Sequence, residues 1–298
     1  MKLRRWLASR CRRSRPVSQL FVRKLTHREI KKATDTFSMI IGSDSYGTVY
    51  RARFSDGYIA AIKKAKHSHQ SKDAFPGEVL LLSRLHHRHV IKLVGFSEEN
   101  ERFLAFEYME NGSLRDWLRD PLKTPLNWRV RLKIAIDVAA ALEYIYYFCD
   151  PPVYDAKVNS SNVMLDQNFV AKISYVEVLD CNCFHNSELV ATHSKGELEQ
   201  RQRNAVFQFG VLVLELVMGQ SMHNEEEPLQ WIRGSGSACS MHKMVDADLG
   251  GNYDSRELRS LLIVARLCTK VGEGSILSIP QILRYLQGKI ELSAAQLW

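Results

Sequence analysis

The chain has 298 residues, 45% of them hydrophobic and 25% charged, enough for a sizeable buried core in one large domain or two lobes. Its net charge is +8, yet residues 1–28 hold ten basic side chains and no acidic one, so the remainder carries about −2. That distribution excludes a nucleic-acid-binding body. The longest apolar run, from Val206 to Gly219, contains Glu215 and is too short to span a bilayer, and no secretory signal is present. The six cysteines include no CxxC pair, which points to reduced thiols.

In chain order, Thr26-His27-Arg28-Glu29 has the form of a capping box that starts a helix through about Phe37. Strand patterns follow at Thr48-Val49-Tyr50, Tyr58 to Ile62, Val90 to Phe96 and Phe103 to Tyr108, with Asp56-Gly57 as a hairpin turn. One helix interrupts them near Phe75 to Leu85, where Pro76-Gly77 predicts a start with the proline in the first turn. Beyond Asn111-Gly112 the period becomes helical. Ser113 is placed as an N-cap, and Trp128, Leu132, Ala135, Val138, Leu142 and Ile145 mark a long amphipathic helix. Further helices are expected at 204–218, 255–268 and 278–287. A β-rich lobe followed by a larger α-rich lobe is an α+β architecture.

The chemistry-bearing groups sit in a fixed order. Ile41 to Val49 is a glycine-containing strand-turn-strand, Ala61-Ile62-Lys63 lies on the next strand, and Glu78 lies on the helix after it. Glycines let backbone amides approach phosphate, a lysine pairs phosphate charge, and a glutamate positions the lysine. With this order and spacing the sequence resembles a protein kinase, in particular the cytoplasmic kinase domain of plant receptor-like kinases. The likeness rests on EIKKATDTFS, YGTVYRARFSDG, LLLSRLHHRHVIKLVGF, FEYMENGSLRDWL, PLNWRVRLKIAIDVAAALEY, FGVLVLELVMG and VDADLGG. It implies a bilobal kinase fold with a basic tail at 1–28 and a domain at 29–290, followed by a short tail at 291–298. The N-lobe would span about 36–108 and the C-lobe about 112–290. It also implies a nucleotide cleft at the hinge Glu107 to Met109, with Phe106 as gatekeeper.

Set against that family, the loop PPVYDAKVNSSNVMLD is altered. Active relatives show HRDIKxSN, in which the aspartate accepts the substrate hydroxyl proton and the asparagine holds magnesium. Asn162 matches the asparagine, but the proton-accepting position is Lys157, preceded by Asp155-Ala156 and followed at the lysine position by Asn159. Lysine, with an ordinary pKa near 10.4, is an ammonium at neutral pH and has no lone pair to accept a proton. Asp155 lies seven residues before Asn162 instead of five, so its use as a base needs a different loop path. The metal-binding DFG aspartate is replaced by Tyr175, a poor ligand for an ion that wants carboxylate and phosphate oxygens. Asp44 stands at the middle glycine of the phosphate loop; pointed inward, it would meet a phosphate charge with a repulsion of about 4 kcal/mol at ~4 Å and ε ≈ 20.

Paired losses accompany these. Residues 177–203 contain no APE motif, and the RPS arginine that its glutamate would pair with is absent from Ile276-Leu277-Ser278. Both partners are gone together, as expected where a lone buried charge would be costly. The helix aspartate that braces the HRD backbone is Ala205. Gly42, Gly47, Val49, Ala61, Lys63, Glu78, Glu107, Met109 and Asn162 persist as a vestigial nucleotide site. The resemblance thus implies an inactive member that requires no cofactor, with ATP at weak affinity and no magnesium. Lys63–Glu78 is open to a second reading as a structural ion pair alone.

Cys181, Cys183 and His185 lack a second ligand pair at zinc-site spacing and are expected in a surface loop, while His86, His87 and His89 are expected to join helix to strand. In the tail, Leu3, Trp6 and Leu7 lie among basic residues in a pattern suited to an anionic membrane surface, with Cys11 as an acylation candidate. A disordered basic arm and an organelle transit peptide are the other two readings. The expected setting is the cytoplasmic face of the plasma membrane. The expected partner there is an active receptor-like kinase or immune receptor.

Overall fold

A computed structural model describes residues 22–43, 47–65, 74–99, 101–149, 155–174, 176–177, 195–220, 244–270 and 277–289. The N-terminal lobe is a six-stranded sheet in the order β1-β5-β6-β4-β3-β2, with strands Arg23–Lys24, Ile40–Ser43, Gly47–Arg53, Ile59–Ala65, Leu93–Ser97 and Phe103–Glu107 numbered along the chain. Its one parallel pairing corrects the expected tail boundary. Residues 22–28 belong to the fold: β1 lies beside β5 with Arg23 opposite Gly95, and Val22 and Leu25 are buried. A Cβ at Gly95 would meet Leu25 Cδ1 at 2.8 Å, so glycine lets this strand settle.

Helix α1 (His27–Ala33) begins with the expected capping box, Thr26 and Glu29 each bonding the other's backbone amide. It stops four residues short of Phe37. The Thr34 hydroxyl bonds back to the Ile30 carbonyl at 2.8 Å, and Asp35, Thr36 and Phe37 follow in left-handed backbone. That reversal carries the Phe37 ring onto Phe103, stacked at 5.7 Å, and against Tyr50 at 5.2 Å. The Asp56-Gly57 hairpin forms as expected, with Gly57 at φ 86 and the Asp56 carboxylate accepting the Tyr58 amide. Strand β5 starts at Leu93; Val90, expected within it, makes only a lone bridge to Ile173.

Helix α2 (Ala74–Leu82) holds Pro76 in its first turn and ends before Leu85, where the Ser83 hydroxyl bonds the Leu80 carbonyl. Phe75 and Val79, one turn apart, pack on Leu93 and Leu104. In β4 the alternation is plain: Ala60 and Ile62 are buried against Leu25, Ile30 and Phe103, so Ala61 and Lys63 face the other way. Lys63 lies opposite Val49 and Leu104 in the ladder, and Leu104 is the residue on which α2 packs.

The second lobe is helical. Ser113 caps α3 (Leu114–Arg119) and Asn127 caps α4 (Trp128–Tyr147). Helix α5 (Lys195–Met218) starts nine residues earlier than expected because its first turns are polar and show no apolar period. Helices α6 (Ser255–Cys268) and α7 (Ile279–Leu286) match expectation closely. Ile134, Val138 and Leu142 of α4 share one core with Phe209, Leu212 and Leu216 of α5. Gly210 permits close approach of α5 and α6, since a Cβ there would stand 2.8 Å from Cys268 Cβ. Among the described residues no helix is long and apolar enough to cross a membrane.

Candidate functional site

Two short ladders frame the altered loop. Strand β7 (Asp155–Ala156) pairs with β10 (Val176–Glu177), Ala156 opposite Val176, and β8 (Val163–Leu165) pairs with β9 (Ala171–Ile173), Val163 opposite Ile173. Ala156 and Val158 are each 1% exposed and belong to the helical core, while Lys157 between them is half-buried and engaged in a contact of its own.

The loop after Lys157 is tightly held. Asn159 turns the chain, its side chain and carbonyl both accepting the Asn162 amide at 3.0 Å and its carbonyl also taking the Val163 amide at 3.1 Å. The Arg115 guanidinium donates to the Ser161 hydroxyl at 3.0 Å. Asn162 is tied forward, its carbonyl accepting the Ser174 amide at 2.8 Å and the Ser174 hydroxyl at 3.0 Å. Asp44, Tyr46, Tyr175, Cys181, Cys183, His185 and the tail residues Leu3, Trp6, Leu7 and Cys11 lie outside the described residues.

One brace was not legible in the motifs. Ala205 carries no group for the loop, but Gln208 stands three residues on, over the same helix face, and its Oε1 accepts the Val158 amide at 2.8 Å. The i+3 spacing is the signal that could have found it. Gln208→Ala is expected to leave that amide unpaired and to destabilise the fold by about 1–3 kcal/mol. Chemical denaturation should detect the loss, whereas Gln208→Glu, which keeps an acceptor, should retain most of the stability.

At the hinge the Glu107 carboxylate is committed elsewhere. One oxygen meets Lys172 Nζ at 2.6 Å, and the other accepts the Lys92 amide at 2.8 Å. The Glu107 amide is used as well, donating to the Lys92 carbonyl at 3.0 Å. The Met109 side chain is buried, and its carbonyl accepts the Gly112 amide at 3.1 Å. The roof carries Gly42 opposite Val49 and Ala61 opposite Phe106. Gly47 is required where it stands, because a Cβ would lie 2.2 Å from the Lys64 carbonyl oxygen. Phe106 packs with Phe75 and Val79 of α2. Lys63 and Glu78 thus belong to elements packed face to face, and both are engaged in contacts.

Behind the hinge, His89 joins the lobes. Its Nδ1 lies 3.0 Å from the Ala171 carbonyl and its Nε2 3.5 Å from Asp137, whose other oxygen accepts the Ala171 amide at 3.1 Å and Lys133 Nζ at 3.2 Å. Backbone bonds from Ile91 to Ile173 and from Ile173 to His89 continue the seam. The expected structural part for these histidines is what the geometry shows.

A two-lobed sheet-plus-helix body with a glycine-lined roof, a hinge and a loop beneath it is the protein-kinase architecture. Residues 36–244 match the protein tyrosine and serine/threonine kinase family, and the chain belongs to that family. It is 39% identical over 289 residues to a probable receptor-like protein kinase of Arabidopsis thaliana, covering 89% of this chain and 43% of the relative. A calcium/calmodulin-regulated receptor-like kinase of the same plant is 32% identical over 88% of this chain and 62% of its own length. The chain thus spans about half the length of these relatives. Among solved structures it resembles an apo pseudokinase (TM-score 0.74, 23% identity, 90% of this chain and 93% of that one). The pseudokinase domain of BIR2, an immune regulator of the RLK/Pelle family, superposes with TM-score 0.73 at 25% identity, covering 89% and 84%.

Proposed function

We propose that this chain is a catalytically silent receptor-like kinase that works by binding, as scaffold, decoy or allosteric partner of an active receptor kinase at the cytoplasmic face of the plasma membrane. The observation that carries the reading is an ammonium, Lys157, at the proton-acceptor position of a loop whose frame is otherwise held by Asn159, Arg115 and Gln208. Loss of the acid-base group on a maintained frame is what selection for a surface, without selection for turnover, leaves behind. The likeness to the BIR2 pseudokinase domain supports a partner among receptor kinases. The seven basic side chains before Val22 support a membrane setting, each charge near an anionic surface contributing about 1 kcal/mol.

The donor set does not fit magnesium. Asn162 offers an amide and the sequence offers Tyr175, so no carboxylate stands at the two positions where the family holds the ion. The retained roof and hinge support weak nucleotide binding without it. A second reading, a weakly active serine/threonine kinase, rests on Asp155, which β7 places two residues before Lys157.

Purified chain incubated with labelled ATP, magnesium and a general protein substrate is expected to transfer no phosphate above the Lys63→Ala control. Transfer that Lys63→Ala abolishes would overturn the binding-protein reading. Transfer abolished by Asp155→Asn would establish the alternative.

A further inference from the structure

We propose that the folded domain docks on an anionic lipid surface through the outer face of α1, with Arg28, Lys31 and Lys32 as the contact. The inference rests on the membrane setting above and deepens it from a charged stretch of sequence to a folded surface and an orientation.

Three observations carry it. In a helix of 3.6 residues per turn, the positions two before and two after Ile30 come out on the side opposite to it. Ile30 is fully buried against Ala60, Ile62 and Phe103, so Arg28 and Lys32 point outward, with Lys31 beside them, and all three are exposed. Among the described residues no carboxylate pairs with these three, because the acidic neighbours are held elsewhere. Glu29 meets Arg23 at 2.5 Å and accepts the Thr26 amide, Glu98 meets Lys24 at 3.4 Å, and Glu99 accepts the His27 amide at 2.9 Å. Asp35, exposed just past the helix, takes back one charge of the three. The chain before Val22 adds seven basic side chains and no acidic one, and it joins this same lobe, where Val22 packs on Phe75 and Leu93.

Charge alone would suit a nucleic acid or an acidic protein as well as lipid. Leu3, Trp6 and Leu7, set among the cations of the first 21 residues, decide for lipid, since they have a hydrocarbon boundary to enter. The chain beyond residue 28, at about −2, adds no attraction of its own, so the basic face selects the side that is presented. The orientation follows from the sheet. Helix α1 covers the face that carries Ala60 and Ile62, and Ala61 lies on the opposite face, toward the cleft. Docking through α1 therefore turns the cleft and hinge away from the lipid, toward a protein partner.

Cosedimentation of the full chain with vesicles tests this, using phosphatidylcholine alone and phosphatidylcholine mixed with phosphatidylserine. The unaltered chain is expected to bind the phosphatidylserine vesicles only, and less as salt rises. The triple variant Arg28→Gln, Lys31→Gln, Lys32→Gln should weaken that binding by about tenfold or more. A second triple variant, Arg256→Gln, Arg259→Gln, Arg266→Gln, removes the same charge from exposed positions of α6 and should change binding by less than about twofold. Melting temperatures check that both variants keep the fold. Unchanged binding by the first variant, or equal weakening by both, overturns the docking face and leaves membrane binding by the first 21 residues standing. No binding of the unaltered chain to either vesicle overturns both readings. Retention on an acidic-peptide or RNA matrix that the first variant abolishes, without vesicle binding, gives the face to another partner and overturns them as well.

Discussion

Arg131→Met is expected to unfold the helical lobe at markedly lower denaturant, a loss of about 3–5 kcal/mol. The side chain is 1% exposed and each of its three nitrogens makes a bond. Nε bonds the Leu126 carbonyl at 2.7 Å, one terminal nitrogen bonds the Leu216 carbonyl at 3.0 Å, and the other pairs with the Asp246 carboxylate. Methionine fills much of the volume but takes the donor from two carbonyls and from one oxygen of the Asp246 carboxylate, whose other oxygen keeps the Asp248 amide at 3.0 Å; a mostly buried charge without its ionic partner is what makes such changes costly. Gly219 belongs to the same knot, because a Cβ there would overlap the Asp246 side chain and its φ of 68 already favours glycine. The discriminating measurement is a cycle with Asp246→Asn. If the pair acts as a unit, the double variant loses far less than the two single losses together. Near-additive losses would show that Arg131 works through the carbonyls alone.

That knot also shows what the sequence could and could not disclose. PLNWRVRLKI and VDADLGG were legible as family segments, but neither states that Arg131 and Asp246, so distant in the chain, meet. The long amphipathic period of α4 and the caps at Thr26 and Ser113 were readable because each is a local pattern repeated over a few residues. The start of α5 was not, since Lys195–Arg203 is polar and helical for reasons that lie outside its own period. Strand β1 escaped because a two-residue strand has no alternation to find, and its signal is the bare Gly95 on the strand beside it. At the site, spacing from Asn162 identified Lys157 and Tyr175, whereas the work of Glu107 had to be seen. Its carboxylate holds Lys172 and Lys92 instead of facing a ligand, a contact between strands that no spacing rule contains.

The second large effect is acid destabilisation between about pH 6.5 and pH 4, carried mainly by His87. Its ring lies flat on Tyr144 at 4.8 Å, meets His89 edge-on at 5.4 Å, and accepts the His89 amide through Nδ1 at 3.3 Å. Burial lowers its pKa to about 4, and the charges of His89 and Arg88 push the same way. The His89 pKa is lowered too, again chiefly by burial, with Asp137 and the Ala171 carbonyl opposing the fall and Arg88 and Lys133 adding to it. Because the folded value lies below the ordinary 6.5, the unfolded chain takes up the proton first as pH falls. Stability is therefore complete above about pH 6.5, declines toward pH 4, and gains no further penalty from His87 below that. At about 1.36 kcal/mol per pH unit the limit is about 3 kcal/mol, reduced where solvent reaches the ring. Protonation would also turn the Nδ1 acceptor into a donor facing the His89 amide, so the loss has a structural cause at the seam between the lobes. His87→Phe keeps the stack on Tyr144 and removes the titration. Denaturation across this range should give a visibly shallower pH slope for His87→Phe than for the unaltered chain, and equal slopes would assign the acid sensitivity to another group.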